Sequence, residues 1–211
     1  MKNGNLIIGA GGHSKVIADA MLCNGMNIMG FLDDNPLLIG QRVSGFPVLG
    51  KVENWPEFDV VKLVLGIGDN SIRRLIVQRL EHEGSPIWAI VTHPAATIAN
   101  SVKIGAGTVI MAGAIVNPDT TLGQHTIVNT GATVDHDCSI GSFAHISPGA
   151  HLAGNVNVGD DALLGIGCSV IPGCRIGEGS VIGAGAVVVS DIPPGVIAKG
   201  VPARWNEESK V

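Results

Sequence analysis

The sequence predicts a two-part chain. A small α/β unit with a Rossmann-like parallel sheet fills residues 1–92, an all-β parallel β-helix fills residues 98–198, and a tail covers 199–211. Three observations predict this. A six-residue rule runs without a break through residues 98–187, strand-like and helix-like segments alternate before it, and aromatic residues make up only 3% of the chain, with no Tyr and 30 glycines. A core without aromatics must be built from small aliphatic side chains, which suits stacked, turn-rich coils.

The six-residue rule carries the second half. Stepping by six from Ile98 reaches Ile104, Ile110, Val116 and so on to Ile176 and Ile182, and all fifteen positions are aliphatic. The position four residues after each is small or short, from Val102, Thr108 and Ala114 through Cys138, Cys168 and Cys174 to Ala186. Each hexad supplies a short strand and a turn, and three hexads close one triangular coil, so the run makes about five coils. The aliphatic residue fills the prism, the small one fits its corner, and coils stack at ~4.8 Å. The three cysteines in this run read as core filler.

The first half follows another pattern. Asn5 to Ile8 reads as a strand leading into Gly9-Ala10-Gly11-Gly12-His13, followed by an amphipathic helix over Ser14 to Cys23. A second strand, Asn27 to Leu32, ends at Asp33-Asp34-Asn35-Pro36. A third, Lys62 to Leu65, ends at Gly66-Ile67-Gly68-Asp69-Asn70 and precedes a helix over Ser71 to Glu83. A last strand covers Ile87 to Val91, and Thr92 to Ala96 forms the junction. Strands alternating with helices imply a parallel sheet.

Bulk properties remove several function classes. A formal net charge of -5 and no run of Lys or Arg argue against a nucleic-acid partner. No apolar run approaches the ~20 residues that cross a bilayer, and MKNGNLIIGAGGH has no signal-type pattern, so a cytoplasmic location is expected. Cys23, Cys138, Cys168 and Cys174 have no C-x-x-C spacing, so no metal site is expected.

Two candidate sites follow from position. The loop Gly9 to His13 joins a strand to a helix and can present backbone N–H groups to a phosphate. The dinucleotide fingerprint G-x-G-x-x-G is incomplete, because Ser14 stands in the third glycine's place. Asp33-Asp34 and Gly66-Ile67-Gly68 end neighbouring strands on the same edge, where α/β sheets bind ligands. The alternatives are a tight turn without a ligand and an Asx turn before Pro36.

The second site follows from register. His136 is the third residue of its hexad, and adding eighteen, one coil, reaches Gly154. An imidazole that titrates near neutrality and an unshielded backbone N–H can flank a thioester carbonyl, as base and as oxyanion donor. Asp135 and Asp137 flank the histidine and can fix its tautomer. The alternative is a solvated turn histidine, since His125, His145 and His151 also lie on the prism.

The chain resembles the bacterial nucleotide-sugar N-acetyltransferases that acetylate 4-amino sugars, together with the similar sialic-acid O-acetyltransferases of the same hexapeptide-repeat family. The resemblance spans nearly the whole chain and rests on IIGAGGHSKVIAD, FLDDNP, GIGDNSIRR, VNTGATVDHDCSIG, HISPGAHLAGNV and AKGVPAR. It implies a left-handed coil, and members of the family are trimers with the acetyl-CoA cleft between adjacent prisms. It implies that His136 is the catalytic base with Asp137 beside it. The family often has Glu there, one methylene longer. His145, Gly154, Ile166 and Ala184 match acetyl-CoA contacts, and Gly11, Gly12, His13, Asp33, Asp34 and Gly68 match the nucleotide-sugar pocket.

The implied reaction moves acetyl from acetyl-CoA to the amino group of a nucleotide-linked 4-amino-4,6-dideoxy sugar by direct attack. No metal and no covalent acyl-enzyme are required. Lys199 and Arg204, after the last coil, can meet CoA phosphates or be ordinary solvated charges. The expected partners are the nucleotide-linked amino sugar, acetyl-CoA and two further copies of the chain. Three rival readings are O-acetylation of a sugar hydroxyl, a non-catalytic nucleotide-sugar-binding scaffold, and a nicotinamide-dependent oxidoreductase in the first half.

Overall fold

The computed structural model describes residues 4–58 and 62–206. Residues 1–3 and 59–61 of the expected α/β unit, and 207–211 of the expected tail, lie outside the described residues. The chain divides into two compact units, Met1–Pro94 and Ala95–Val211.

The first unit is built on β1 (Asn5–Ile8), α1 (Gly12–Cys23), β2 (Ile28–Leu32), β3 (Arg42–Val43), β4 (Phe46–Gly50), β5 (Lys62–Leu65) and α2 (Asn70–Glu83). The sheet order is β3-β4-β2-β1-β5. β1 lies between β2 and β5 and is parallel to both, and β4 runs parallel to β2. Every residue of β1 is buried, as expected of a central strand covered on both faces. The core gathers Leu6, Ile7 and Ile8 with Ile17 and Met21 of α1, Phe31 and Leu32 of β2, and Leu63 and Val64 of β5.

Three local features differ from the sequence expectation. First, the parallel sheet gains an antiparallel edge: β3 pairs with β4 in the register Val43↔Phe46 and Arg42↔Pro47. Ser44 (φ 47°) and Gly45 (φ 84°) form the connection, and a two-residue hairpin loop with both φ positive is the form whose twist suits paired strands. Secondly, α1 begins at Gly12 rather than Ser14, with Gly11 as its N-cap. Thirdly, the expected strand over Ile87 to Val91 is reduced to one bridge, Leu63 with Trp88, and a short strand at Val91–Thr92.

The missing third glycine of the nucleotide fingerprint is accommodated from the opposite side. Ser14 is fully buried and its hydroxyl donates to the Gly11 carbonyl at 2.6 Å. A Cβ placed on Gly66 would lie 2.5 Å from the Ser14 Cβ. Close approach of α1 to the sheet therefore depends on glycine at 66, after β5, instead of glycine at 14.

The second unit is a left-handed parallel β-helix. Its two-residue strands stack in three parallel ladders that repeat every eighteen residues. On the first face Thr133–Val134 pairs with Ile115–Val116 and His151–Leu152. On the second Ser139–Ile140 pairs with Thr121–Leu122 and Asn157–Val158. On the third His145–Ile146 pairs with Ile127–Val128 and Leu163–Leu164. The second residue of each strand points inward. From Ile110 to Val188 this aliphatic column is buried, while Ile98, Val102 and Ile104 in the first coil are partly covered. Cys138, Cys168 and Cys174 are buried in the same core, and burial raises the Cys168 thiol to about 11.

The three corners differ in chemistry. Between the third and first faces, the left-handed turn positions are all glycine: Gly113, Gly131, Gly149, Gly167 and Gly185. Between the first and second faces, Asp119, Asp137, Asn155 and, in the last of these turns, Gly173 hold a positive φ. Asp and Asn tolerate that conformation better than other side chains, so this corner carries functional groups where a glycine corner cannot.

Candidate active site

His136 sits in the turn between the first and second faces, with its side chain 59% exposed. Asp137 follows in a left-handed conformation, φ 59°, which turns its carboxylate back onto its neighbour. The His136 Nδ1 and an Asp137 oxygen are 2.8 Å apart. A carboxylate has no proton to give, so Nδ1 carries the hydrogen and Nε2 presents its lone pair. The hydrogen bond to Asp137 comes first, and the nearby Asp135 charge second, in raising the His136 pKa above its ordinary value. Asp135 is itself fixed: its Oδ1 accepts from Asn117 Nδ2 at 2.8 Å and from the His136 N–H at 2.8 Å. These bonds hold it below the usual carboxylate range.

Gly154 lies one coil along the same corner. A Cβ there would fall 2.6 Å from His136 Cε1 and 2.7 Å from Nε2, so the imidazole occupies the space that any side chain at 154 would need. Among the described residues the Gly154 N–H donates no hydrogen bond, whereas the neighbouring Ala153 and Asn155 N–H groups are engaged by Val170 and His136 carbonyls. A proton acceptor and an unengaged donor thus face the same patch of surface. Cys138, just past His136, is turned inward: its Sγ contacts the Ala153 carbonyl at 3.3 Å and burial raises its pKa, so it is poorly suited to act as a nucleophile.

The remaining expected cofactor contacts lie elsewhere on the prism. His145 is on the third face, half-buried, with Nε2 3.0 Å from Asn129 Nδ2. Ile166, 62% exposed, and Ala184, also exposed, share the corner between the third and first faces. Within one prism they are not brought to the corner of His136 and Gly154. Lys199 and Arg204 form an antiparallel bridge, with the Lys199 N–H to the Arg204 carbonyl at 3.0 Å and the reverse bond at 2.9 Å. His151, on the first face, has Nδ1 3.0 Å from Thr133 Oγ1. His125 is buried and stacks on Phe143 with ring centroids 5.0 Å apart.

In the first unit, a cleft of about 410 Å³ opens where β1, β2 and β5 end. Gly9, Gly11, Asp33, Asp34, Gly66 and Ile67 line it. Gly9 holds φ 93°, a conformation that favours glycine. Gly11 and Gly12 open α1 with no side-chain cap, and a Cβ at either would meet nothing within 4 Å. The start of α1 is therefore sterically open to a ligand, and a helix N-terminus suits an anion. His13 and Gly68 lie behind this edge, with a Gly68 Cβ position 3.8 Å from the His13 ring. Burial first, and the Arg73 charge second, lower the His13 pKa to about 4, so its ring is neutral at physiological pH.

The two aspartates are both committed to the backbone. Asp33 Oδ2 accepts the Ala10 N–H at 2.7 Å and Oδ1 the Asn35 N–H at 2.8 Å, an Asx turn that also ties the glycine loop to the end of β2. Asp34 accepts from the Val52 N–H at 3.0 Å and from Arg79 at 3.1 Å. Val52, Ile72 and Ile76 complete the lining and were not singled out by the sequence. Ile72 and Ile76 are one helical turn apart on α2, and Ile72 is 51% exposed, an apolar surface suited to the flat face of a base. Among the described residues, one group of three possible metal ligands occurs: Asp19, Cys23 and His93, with ligand atoms within 4.8 Å of one another. Asp19 and Cys23 are in the C-terminal half of α1, at the end away from the cleft.

Residues 6–80 match the family model described as the PglD N-terminal domain, and residues 155–190 match the bacterial transferase hexapeptide model. The structure is similar to PerB from Caulobacter crescentus, a crystal structure in complex with CoA and GDP-perosamine. The two chains are 39% identical over 96% of this chain and 97% of that one, with a TM-score of 0.89. It is similar also to the acetyltransferase domain of PglB from Neisseria gonorrhoeae in complex with acetyl coenzyme A, at 39% identity over 98% and 100% of the two chains and a TM-score of 0.91. The UDP-N-acetylbacillosamine N-acetyltransferase of Bacillus subtilis is 39% identical over 109 residues, half of each chain. The chain spans 23% and 50% of the length of the curated relatives that it matches.

Proposed function

The chain belongs to the nucleotide-sugar N-acetyltransferase family of hexapeptide-repeat proteins, and from that premise we propose that it transfers an acetyl group from acetyl-CoA to the amino group of a nucleotide-linked 4-amino-4,6-dideoxy sugar. The observation that carries this reading is the corner at which His136, oriented by Asp137, stands over the bare backbone of Gly154. The relatives' co-crystallised CoA, acetyl-CoA and GDP-perosamine support the substrate classes.

The first unit's cleft holds the nucleotide-linked sugar in this reading. The N–H groups at the start of α1 receive the pyrophosphate, and Ile72 and Ile76 receive the base. On the prism, the neutral amine attacks the thioester carbonyl carbon and an N–C bond forms. His136 Nε2 takes the proton that the nitrogen must lose, while Asp137 stabilises the resulting imidazolium. The Gly154 N–H donates to the carbonyl oxygen as negative charge develops on it. The C–S bond then breaks, and the His136 Nε2–H returns its proton to the departing thiolate. Imidazole, carboxylate and peptide N–H leave the reaction unchanged, which needs no acyl-enzyme.

The proposed assembly is a homotrimer. His136 and Gly154 share one corner of the prism, while Ile166 and Ala184 share another. A cyclic trimer that seats one copy's first corner against the next copy's second unites the set, as isolated prisms do not. Among the described residues no helix is long and apolar enough to cross a membrane, and a supply of acetyl-CoA suits action in the cytoplasm.

A thiol-release assay with acetyl-CoA against UDP-, GDP- and dTDP-linked 4-amino sugars, alongside the matching 4-hydroxy sugars, tests the proposal. Turnover with an amino sugar and not with its hydroxy counterpart is expected. Turnover with hydroxy acceptors alone makes the enzyme an O-acetyltransferase, and the absence of thiol release with every acceptor leaves a binding scaffold.

A further inference from the structure

Arg73 is 1% exposed, the largest of the fully buried side chains, and it lies in α2 beneath the cleft. Its Nη1 donates to the Gly68 carbonyl at 3.0 Å and the Ile67 carbonyl at 3.3 Å, and its Nη2 donates to Asn70 Oδ1 at 3.1 Å. These acceptors belong to the segment that follows β5, where ladder pairing has ended. Gly66 and Ile67 line the cleft, and Gly68 abuts His13. The same segment is fixed at its far end by Asp69, which caps α2 by accepting the Ile72 N–H at 2.9 Å.

We propose that Arg73 is a positioning residue: its guanidinium sets the backbone of Ile67 and Gly68, and so the shape of the nucleotide end of the cleft, without touching the substrate. The inference rests on the reading of that cleft as the nucleotide-sugar site. Burying a guanidinium is costly unless its donors are used. Here the planar fork reaches two successive carbonyls and a side-chain amide at once, which a lysine ammonium on a flexible stem does not reproduce. The carbonyls of Ile67 and Gly68 are turned inward to meet it, which leaves the Ile67 side chain at the cleft wall. The positive charge beside His13 also favours the neutral ring at the same edge.

The test compares Arg73→Met and Arg73→Lys with the wild type in the full chain, using acetyl-CoA and the nucleotide-linked amino sugar that turns over best. Loss of hydrogen bonds from a charged group should raise the KM for the nucleotide sugar about tenfold or more in Arg73→Met. The acetyl-CoA KM and kcat should stay within about threefold, because neither depends on that loop. Arg73→Lys should lie between the two. A nucleotide-sugar KM within about twofold of wild type in the folded Met variant overturns the inference. So does a parallel loss of kcat and both KM values, which marks a general fold element. If Arg73→Met does not fold, Arg73→Lys decides by the same split. A wild type that turns over no acceptor contradicts the proposed reaction instead. Arg73 is then read by titrating UDP, GDP and dTDP into wild type and Arg73→Lys, where weaker binding by the variant supports the inference and equal binding overturns it.

Discussion

The imidazole of His136 fills the place where a side chain at Gly154 would begin, with a Cβ there falling 2.7 Å from Nε2 and 2.6 Å from Cε1. The contact is made across one coil of the prism, so the stacking that builds the core also sets the spacing between the proposed base and the proposed oxyanion donor.

Gly154→Ala should therefore displace the ring without unfolding the prism. Thermal melting should change little, because His136 is exposed and can move. The kcat should fall about 10²-fold or more, the range for a misplaced general base. Wild-type turnover in this variant would show that the ring's seat on Gly154 is not required.

The pH profile has a definite sign. A base acts in its neutral form, and the Asp137 hydrogen bond raises the His136 pKa above its ordinary value. In the wild type kcat/KM should fall as pH drops through that raised pKa, over and above the titration of the acceptor amine. In Asp137→Asn the largest contribution to the rise is removed, so the acid limb should move to lower pH while the plateau falls. A limb that stays in place would separate Asp137 from the titrating group.

Gly12→Val probes the anion site at the start of α1. Nothing lies within 4 Å of the added Cβ, so the fold should tolerate it while the new side chain obstructs close approach of a ligand to the backbone. Nucleotide-sugar binding measured by calorimetry should weaken and acetyl-CoA binding should persist. Equal loss of both ligands, or no loss of either, would remove the loop from the site.

Sedimentation velocity tests the assembly. A trimer is expected at micromolar concentration. A stable, active monomer would contradict a site completed by the neighbouring copy.

The prism was legible in detail because its signal is repeated. A register that places Ile110, Val128 and Ile146 in one ladder leaves no second way to stack the coils, and the same arithmetic put His136 beside Gly154. The first unit was legible where a strand runs straight into a glycine loop, as at Ile8 to Gly11. Elsewhere the signals were single and ambiguous. Ser44-Gly45 is a hairpin turn only because Phe46 to Gly50 finds β2 to pair with. Nothing in the sequence marks Arg73 for burial, which the carbonyls of Ile67 and Gly68 that it reaches explain. Ile72 and Ile76 were not singled out, because only the fold brings them to the wall of the cleft. Asp33 could be a ligand or an Asx turn, and its bonds to Ala10 and Asn35 make it an anchor of the loop.

The most direct test of the central claim is steady-state kinetics of His136→Ala beside His151→Ala, with acetyl-CoA and the preferred nucleotide-linked amino sugar. His151 is on the first face of the same prism, with Nδ1 3.0 Å from Thr133 Oγ1. His136→Ala should fold normally, keep both KM values within a few-fold and lower kcat by about 10² to 10⁴, as for a lost general base. His151→Ala should retain near-normal turnover. Near-normal kcat in His136→Ala, with the loss appearing in His145→Ala instead, would contradict the account and place the base on the third face of the prism.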